Sequence, residues 1–399
     1  GVGSLDFVSA WYAKATAVMQ SNSNIRAALV STNSITQGEQ VAILWKYLFA
    51  QGIVINFAHH TFKWINDAKG VAGVSCVVIG FSLKNNGNKR IFEYADVYGE
   101  PNEIAAASIN PYLIDAPAIF IENRSNQVSN GPKVNYGSFA LDDGNYTLNE
   151  VDAEEIIKLD ARVKEYIKPF IGGYELINNV KRYCLWLKDA APNDLRAIQP
   201  ITARVDRVKR WRSESKRANT LALAMTPTLF AEVRQPNHAY IAFPTVSSEK
   251  REYIPIAYLD EGTIASNQLY IINSAELYTF AILTSKMHMA WVGAVCGSLE
   301  SRYRYSSRLV YNNFIWPEIT NAQQADISQL AQNILDALAE FPDASLADLY
   351  DPLTMPPVLA RAHKTLDRAV DKLYSSKHFA SDAERVAMLF EKYQQAVKD

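Results

Sequence analysis

The sequence predicts an α/β plus α+β fold: the closing third of a doubly wound sheet, then a mixed domain, then a small helical domain. Three observations predict it. Helical and strand periodicities alternate over the first hundred or so residues of the 399. The middle breaks into short pieces rich in Pro, Ser and Asn. The final stretch carries two capping-box spacings ahead of helical runs.

Residues 4–20 place Leu5, Val8, Trp11, Tyr12, Ala15 and Met19 on one helical face. AALVST (27–32) is a short strand, and QGEQVAILWKYLFAQG (37–52) is an amphipathic helix that stops at Gly52. IVINFA (53–58) is the next strand, followed by a loop of polar and aromatic residues. GVSCVVIGFS (73–82) is β-branched and extended, and KRIFEYADV (89–97) adds a further strand. That order matches the end of a doubly wound sheet that closes with an antiparallel hairpin. From about 98 to 150, Pro101, Pro111, Pro117, Pro132 and the turn Asp143-Gly144 loosen the pattern. The expected division is an α/β part at 1–110, a connector at 111–150, a mixed domain at 151–318 that begins with a helix at 151–167, and a helical domain at 319–399. In the last, Thr320 and Gln323 cap ISQLAQNILDALAEF and Pro342 comes after it. Leu359, Leu366, Val370 and Leu373 form a stripe, and Ser381 and Glu384 cap RVAMLFEKYQQAV.

Composition excludes several classes. A hydrophobic fraction of 48% and a charged fraction of 21% are those of a folded globular chain, not a collagenous or disordered one. The net charge of −2 argues against non-specific coating of nucleic acid, which depends on neutralising many phosphates. A local basic strip on a neutral body remains compatible with it. Cys76, Cys184 and Cys296 are far apart with no CxxC spacing, which fits a reducing cytoplasm and argues against structural zinc or disulfides. No apolar run approaches the ~20 residues of a membrane span, and no signal-peptide pattern opens the chain. The first residues, GVGSLDF, lack an initiator Met, so a piece of a longer or engineered protein is expected.

Four groups of residues carry chemistry. His59 and His60 are read as loop histidines, because no Cys, Asp or Glu lies beside them at ligand spacing; no metal is expected. RVDRVKRWRSESKR (204–217) carries Arg204, Arg207, Lys209, Arg210, Arg212, Lys216 and Arg217 against two acids. Seven cations cannot share one helical face, so some would grip phosphates while others reach a groove; the other reading is a solvated helix anchored by Trp211. Glu249 and Arg251, in VSSEKREYIP, are an acid–x–base pair on a strand or loop. Arg can bond guanine O6 and N7 and Glu can accept from cytosine N4, so the pair could read one base pair from both sides; a surface salt bridge is the alternative. Arg302, Arg304 and Arg308 interleave with Tyr303 and Tyr305, which suits phosphate contact or an edge strand with inward tyrosines. His288 and Met289, near Trp291, read as core.

Several segments together carry a family resemblance. LDFVSAWYAKA, VSTNSITQGEQVAILW and FAHHTFKWINDAKGVAGVSCVVIGF resemble the segments after the catalytic motif in MmeI-like restriction–modification DNA methyltransferases. KRYCLWL, VSSEKREYIPIA, MHMAWVGAVCGSLESRYRYS, VYNNFIWP and SLADLYDPLTMPPVLARAHKTLDRAVD resemble that family's target-recognition and C-terminal helical regions. The match covers nearly the whole chain in order. It implies the C-terminal part of a Rossmann-like methyltransferase sheet, a target-recognition domain and a helical domain. It implies also double-stranded DNA as partner and transfer of a methyl group from S-adenosylmethionine to N6 of a flipped adenine. Such enzymes often carry an N-terminal nuclease.

The resemblance assigns residues too. Phe62 stands where related adenine methyltransferases place an aromatic that stacks on the flipped base, with core packing as the other reading; Trp64 is a weaker candidate. Glu249 and Arg251 fall at the family's base-reading Glu-x-Arg position, with Tyr253 and Arg217 as neighbours. The family's Gly-rich donor turn and Asn-Pro-Pro-aromatic loop do not occur here; the only Asn-Pro, Asn110-Pro111, precedes Tyr112. The chain is therefore expected to begin just after them, to join an N-terminal catalytic part, to bind no S-adenosylmethionine alone and to be inactive alone. Two rival readings are a stand-alone specificity module that recruits a separate modification or cleavage subunit, and a scaffold protein that does not touch DNA.

Overall fold

Tyr12, Thr16 and Met19 recur at helical spacing and form the buried side of helix α1 (Ser9–Ser21). The Tyr12 ring stacks on Phe81 at 5.2 Å and meets Trp45 edge-on at 5.6 Å, while its hydroxyl bonds Ser31 Oγ at 3.0 Å. Burying each such aromatic contributes roughly 1.5–3 kcal/mol. Trp11, expected on this face, is 55% exposed: the inward stripe runs through 12, 16 and 19, and position 11 falls off it. This computed structural model describes residues 5–64 and 74–398. They divide into two units, one of residues up to 131 with 285–319 and 367–398, the other of 132–284 with 320–366.

In the first unit, strands β1 (Arg26–Thr32), β2 (Val54–Trp64), β3 (Val74–Ser82), β4 (Lys89–Glu93) and β5 (Asn102–Ala106) form one sheet in the order β1-β3-β2-β4-β5. β3 runs antiparallel between β1 and β2, and β4 is parallel to β2. The expected antiparallel closure of an α/β sheet is thus present. Helix α2 (Glu39–Ala50) buries Val41, Leu44, Trp45 and Leu48 and ends before Gly52, whose φ of +85° only glycine adopts without strain. The strand expected at 53–58 runs on to Trp64, so His59 and His60 lie in β2 rather than in a loop. The part of the expected loop at 65–72 lies outside the described residues. Two register shifts, between Ile55 and Phe57 and between His59 and Phe62, break the alternation of β2; that is why its polar second half does not read as a strand. Helices Lys286–Val295 and Asp382–Lys398 pack together in the same unit.

The second unit holds two four-stranded sheets. One runs Ala257–Leu259, Tyr240–Pro244, Leu269–Ile272, Val134–Tyr136; the other runs Ile264–Ala265, Ile167–Ile171, Tyr183–Leu185, Thr147–Leu148. The stretch that loosens after 98 is therefore packed: it supplies an edge of each sheet. The helix expected at 151–167 ends at Leu159, because Asp160 adopts an extended conformation and its carboxylate caps a separate 3-10 turn at Ala161–Tyr166. Thr320 and Gln323 form the expected capping box of Asn321–Ala339. Ser381 caps Glu384 N, but the Glu384 carboxylate bonds Ala380 N, one residue short of a reciprocal box. Leu359, Leu366 and Val370 are fully buried along Pro357–Tyr374. No helix among the described residues is long and apolar enough to cross a membrane.

Candidate functional site

The second bulge of β2 places Phe62. Four residues of β2, His59 to Phe62, span three of β3, Val78 to Cys76, so Phe62 shares a side with His59 instead of opposing it. The two rings lie 6.5 Å apart. His59 stacks on Phe92 at 4.2 Å and 7°, and Phe62 stacks on Tyr94 at 5.4 Å and 28°. Burial lowers the His59 pKa and raises that of Tyr94, the latter helped by the charge of Glu100. A neutral imidazole thus meets a protonated hydroxyl, 2.8 Å from His59 Nδ1. Lys63 is tied down by its backbone N–H to Val97 O at 2.8 Å and by Nζ to Ser75 Oγ at 2.8 Å. The result is a cavity of about 390 Å³ lined by Phe62, Lys63, Trp64, Tyr94 and residues 97–101. Its lining sets the aromatic rings of Phe62, Trp64, Tyr94 and Tyr98 beside Lys63 and Glu100, and the aromatic faces suit holding a flat ring. Phe92 and Tyr94, two apart, carried the alternation that would have flagged them in the sequence.

The strand-to-helix turn of this sheet at 33–38 is not a cradle for a nucleotide-like donor. Its one glycine, Gly38, meets the Gly297 backbone where a Cβ would sit, 3.1 Å from Gly297 Cα. The described residues therefore do not fit S-adenosylmethionine there, and no transfer step is derived from them. His60 donates through Nε2 to Leu113 O at 2.8 Å. Among the described residues no three His, Cys, Asp or Glu side chains gather as a metal cluster, and all three cysteines are free and buried.

The basic strip divides along helix Gln199–Ser213. Arg207, Lys209, Arg210, Lys216 and Arg217 are exposed. Arg204 Nη1 donates to Asn145 O at 2.7 Å and Arg207 Nε to Asn145 Oδ1 at 2.7 Å, which fastens the helix to the turn at 142–145. Arg212 departs from the expected phosphate-contacting role. It is fully buried and donates to five carbonyls: Leu141, Ala140, Leu223, Thr226 and Leu229. A guanidinium so enclosed cannot reach a phosphate; two residues on from Arg210, about 200° round the helix, it faces the core while Arg210 faces solvent.

Glu249 is exposed in the turn Ser248–Arg251, closed by Arg251 N to Ser248 O at 3.3 Å and Lys250 N to Ser248 Oγ at 3.2 Å. Arg251 is half-buried; burial lowers its pKa and the negative charge of Asp351 opposes that. Its buried Nε has no hydrogen-bond partner among the described residues. Tyr253 departs from the expected base-reading role, being 2% exposed and stacked on His363 at 4.0 Å and 20°. His363 is enclosed, shares a hydrogen bond of 3.1 Å between Nε2 and the Tyr350 hydroxyl, and is pushed down to about 3 by burial. The unfolded chain binds a proton here below about pH 6.5 that the folded chain does not. This group's stabilisation is therefore complete above pH 6.5 and falls as the pH drops toward 3. Urea unfolding should lose on the order of 1 kcal/mol per pH unit between 6 and 4.5 from this site. His363→Phe should flatten that slope; an unchanged slope would mean that other groups dominate it.

Arg302 and Arg304 are exposed on a short strand that pairs with Gly297–Leu299, while Tyr303 is half-buried and Tyr305 is buried against His288, 2.9 Å from its Nε2. The tyrosines thus pack inward while the arginines face solvent. Arg302 pairs with Glu300 at 2.9 Å, and Arg308 is exposed on the next turn. His288 and Met289 are core, as expected.

Comparison with known proteins covers nearly the whole chain. Residues 1–93 match the family model of the MmeI DNA-methyltransferase domain, 115–318 that of the MmeI target recognition domain, and 319–399 that of the MmeI C-terminal domain. DNA methyltransferase A of Bacillus subtilis (strain 168) is 40% identical over 392 residues, which are 98% of this chain and 44% of that protein. Among solved structures, the type IIL restriction-modification enzyme MmeI in complex with DNA is similar at 45% identity and a TM-score of 0.89, over 99% of this chain and 53% of that one. The chain spans about half the length of these relatives.

Proposed function

The chain belongs to the MmeI family of restriction–modification DNA methyltransferases, and from that premise we propose that it reads a DNA sequence and positions the target adenine for N6 methylation. The observation that carries the reading is the turn 248–251, which exposes Glu249 beside the half-buried Arg251 inside the stretch that matches a target recognition domain. Glu249 and Arg251 address one base pair from its two sides, with Arg217 as a neighbouring reader. Arg207, Lys209, Arg210 and Lys216, with Arg302, Arg304 and Arg308, hold phosphates of double-stranded DNA, and Arg204 mainly anchors its helix. Phe62 stacks on the extruded adenine in the aromatic cavity. S-adenosylmethionine supplies the methyl group in the complete cytoplasmic enzyme, at a site built by residues that these 399 do not contain; a nuclease fused to that enzyme would act on the same recognition.

Swapping the readers tests this. Each bidentate base contact contributes ~1–3 kcal/mol of discrimination. In the complete enzyme, Glu249→Lys with Arg251→Asp should reverse the base preferred at one position of the methylated site by tenfold or more, with substantial turnover on the new site. Because the Asp351 charge lies near position 251, the exchange should work better with Asp351→Asn. Methylated-site sequencing that returns the original site from a folded variant would sink the assignment.

A further inference from the structure

The turn that presents Glu249 and Arg251 is short, and nothing within it explains how its side chains are held to the tolerance that base reading requires. The hold comes from the residues just beyond the turn. Tyr253, Ile254 and Ile256 are all buried, so the chain enters the core two residues after Arg251. There the Tyr253 ring lies on the His363 imidazole at 4.0 Å, and His363 in turn is bonded to the Tyr350 hydroxyl. Tyr350 meets the imidazole edge-on at 5.5 Å, so the ring is held by a face and an edge. Tyr350 is itself set by a built turn: Ser345 caps Leu346–Leu349, the Thr354 hydroxyl donates to Asp348 O at 2.6 Å, and Leu353 N donates to the Asp351 carboxylate at 2.8 Å. Asp351 comes directly after Tyr350 and supplies the negative charge that acts on Arg251.

We propose that Tyr350 and His363 are positioning residues for base discrimination: they clamp Tyr253 and thereby hold the turn that aims Glu249 and Arg251. The proposal rests on the reading of that turn as the base-reading element. Its consequence is that a segment matched by the C-terminal domain model sets the fidelity of a contact made by the recognition segment. The two side chains need not approach DNA. They act through the stacked tyrosine, because a buried ring stacked on a fixed imidazole has no free rotamer to exchange into and transmits its position to the backbone.

The experiment is binding selection by the full chain on a pool of duplexes with randomised positions, followed by sequencing of the bound fraction at pH 7.5. Four variants are compared with the native chain: His363→Ala, His363→Phe, Tyr350→Phe, and Glu249→Lys with Arg251→Asp. The reader swap identifies the position read by the turn. His363→Ala should flatten the preference at that position about tenfold and leave the other positions within twofold. His363→Phe keeps a ring face against Tyr253 and should restore most of the preference. Tyr350→Phe, which removes one hydroxyl and leaves the core filled, should lose threefold at the same position and serves if His363→Ala does not fold. Uniform weakening at every position, or an unchanged preference in folded Tyr350→Phe and His363→Ala, overturns the clamp. A reader swap that selects the native motif instead removes the reading on which the clamp rests.

Discussion

Arg212→Leu should destabilise the chain by about 3–5 kcal/mol, the largest loss expected from any single change in the basic strip. The side chain is fully enclosed, and its fork donates to five backbone carbonyls drawn from 140–141 and 223–229. Leucine would leave those carbonyls buried without donors, and each unsatisfied group costs roughly 1–3 kcal/mol before relaxation. Arg212→Lys should recover little, since one ammonium cannot span carbonyls that a planar guanidinium bonds along several directions. Lys209→Ala, on the exposed side of the same helix, should stay within about 0.5 kcal/mol. Urea unfolding monitored by circular dichroism separates the two. A loss under ~1 kcal/mol for Arg212→Leu would show that the carbonyls find other donors.

Phe62→Ala should lower the methyl-transfer rate of the complete enzyme roughly 5- to 150-fold, the rate equivalent of the ~1–3 kcal/mol that base–aromatic stacking contributes. Duplex affinity should change less than twofold, because an extruded base adds little to contacts made by the cations and the reading turn. Phe62→Trp should retain most of the rate, since it keeps a flat face on the cavity. Single-turnover methylation and duplex titration measured side by side give the split. If Phe62→Ala transfers methyl at the native rate, its stack on Tyr94 is core packing and the cavity has another use.

How far the sequence reaches depends on the range of the physics. β1, α2, β3 and the Thr320 cap were legible, because periodicity and capping are decided by neighbours within a few residues. So was the family likeness, which rests on several segments in order. The second half of β2 was not, since a strand whose bulges shift its alternation reads like a loop. The alternation of Phe92 and Tyr94 was there to read, but that they stack on His59 and Phe62 depends on β4 lying parallel beside β2.

By itself, then, the sequence determined the family, the order of many of its elements and the residue types available for contact. Only the tertiary structure decided which of them face outward. Arg210 and Arg212 are chemically alike and two residues apart, yet one is exposed and the other is sealed by carbonyls from distant segments. Tyr253, two residues beyond the half-buried Arg251, is withdrawn because His363 comes to cover it. Burial is a property of what packs over a side chain, and what packs over it comes from elsewhere in the chain.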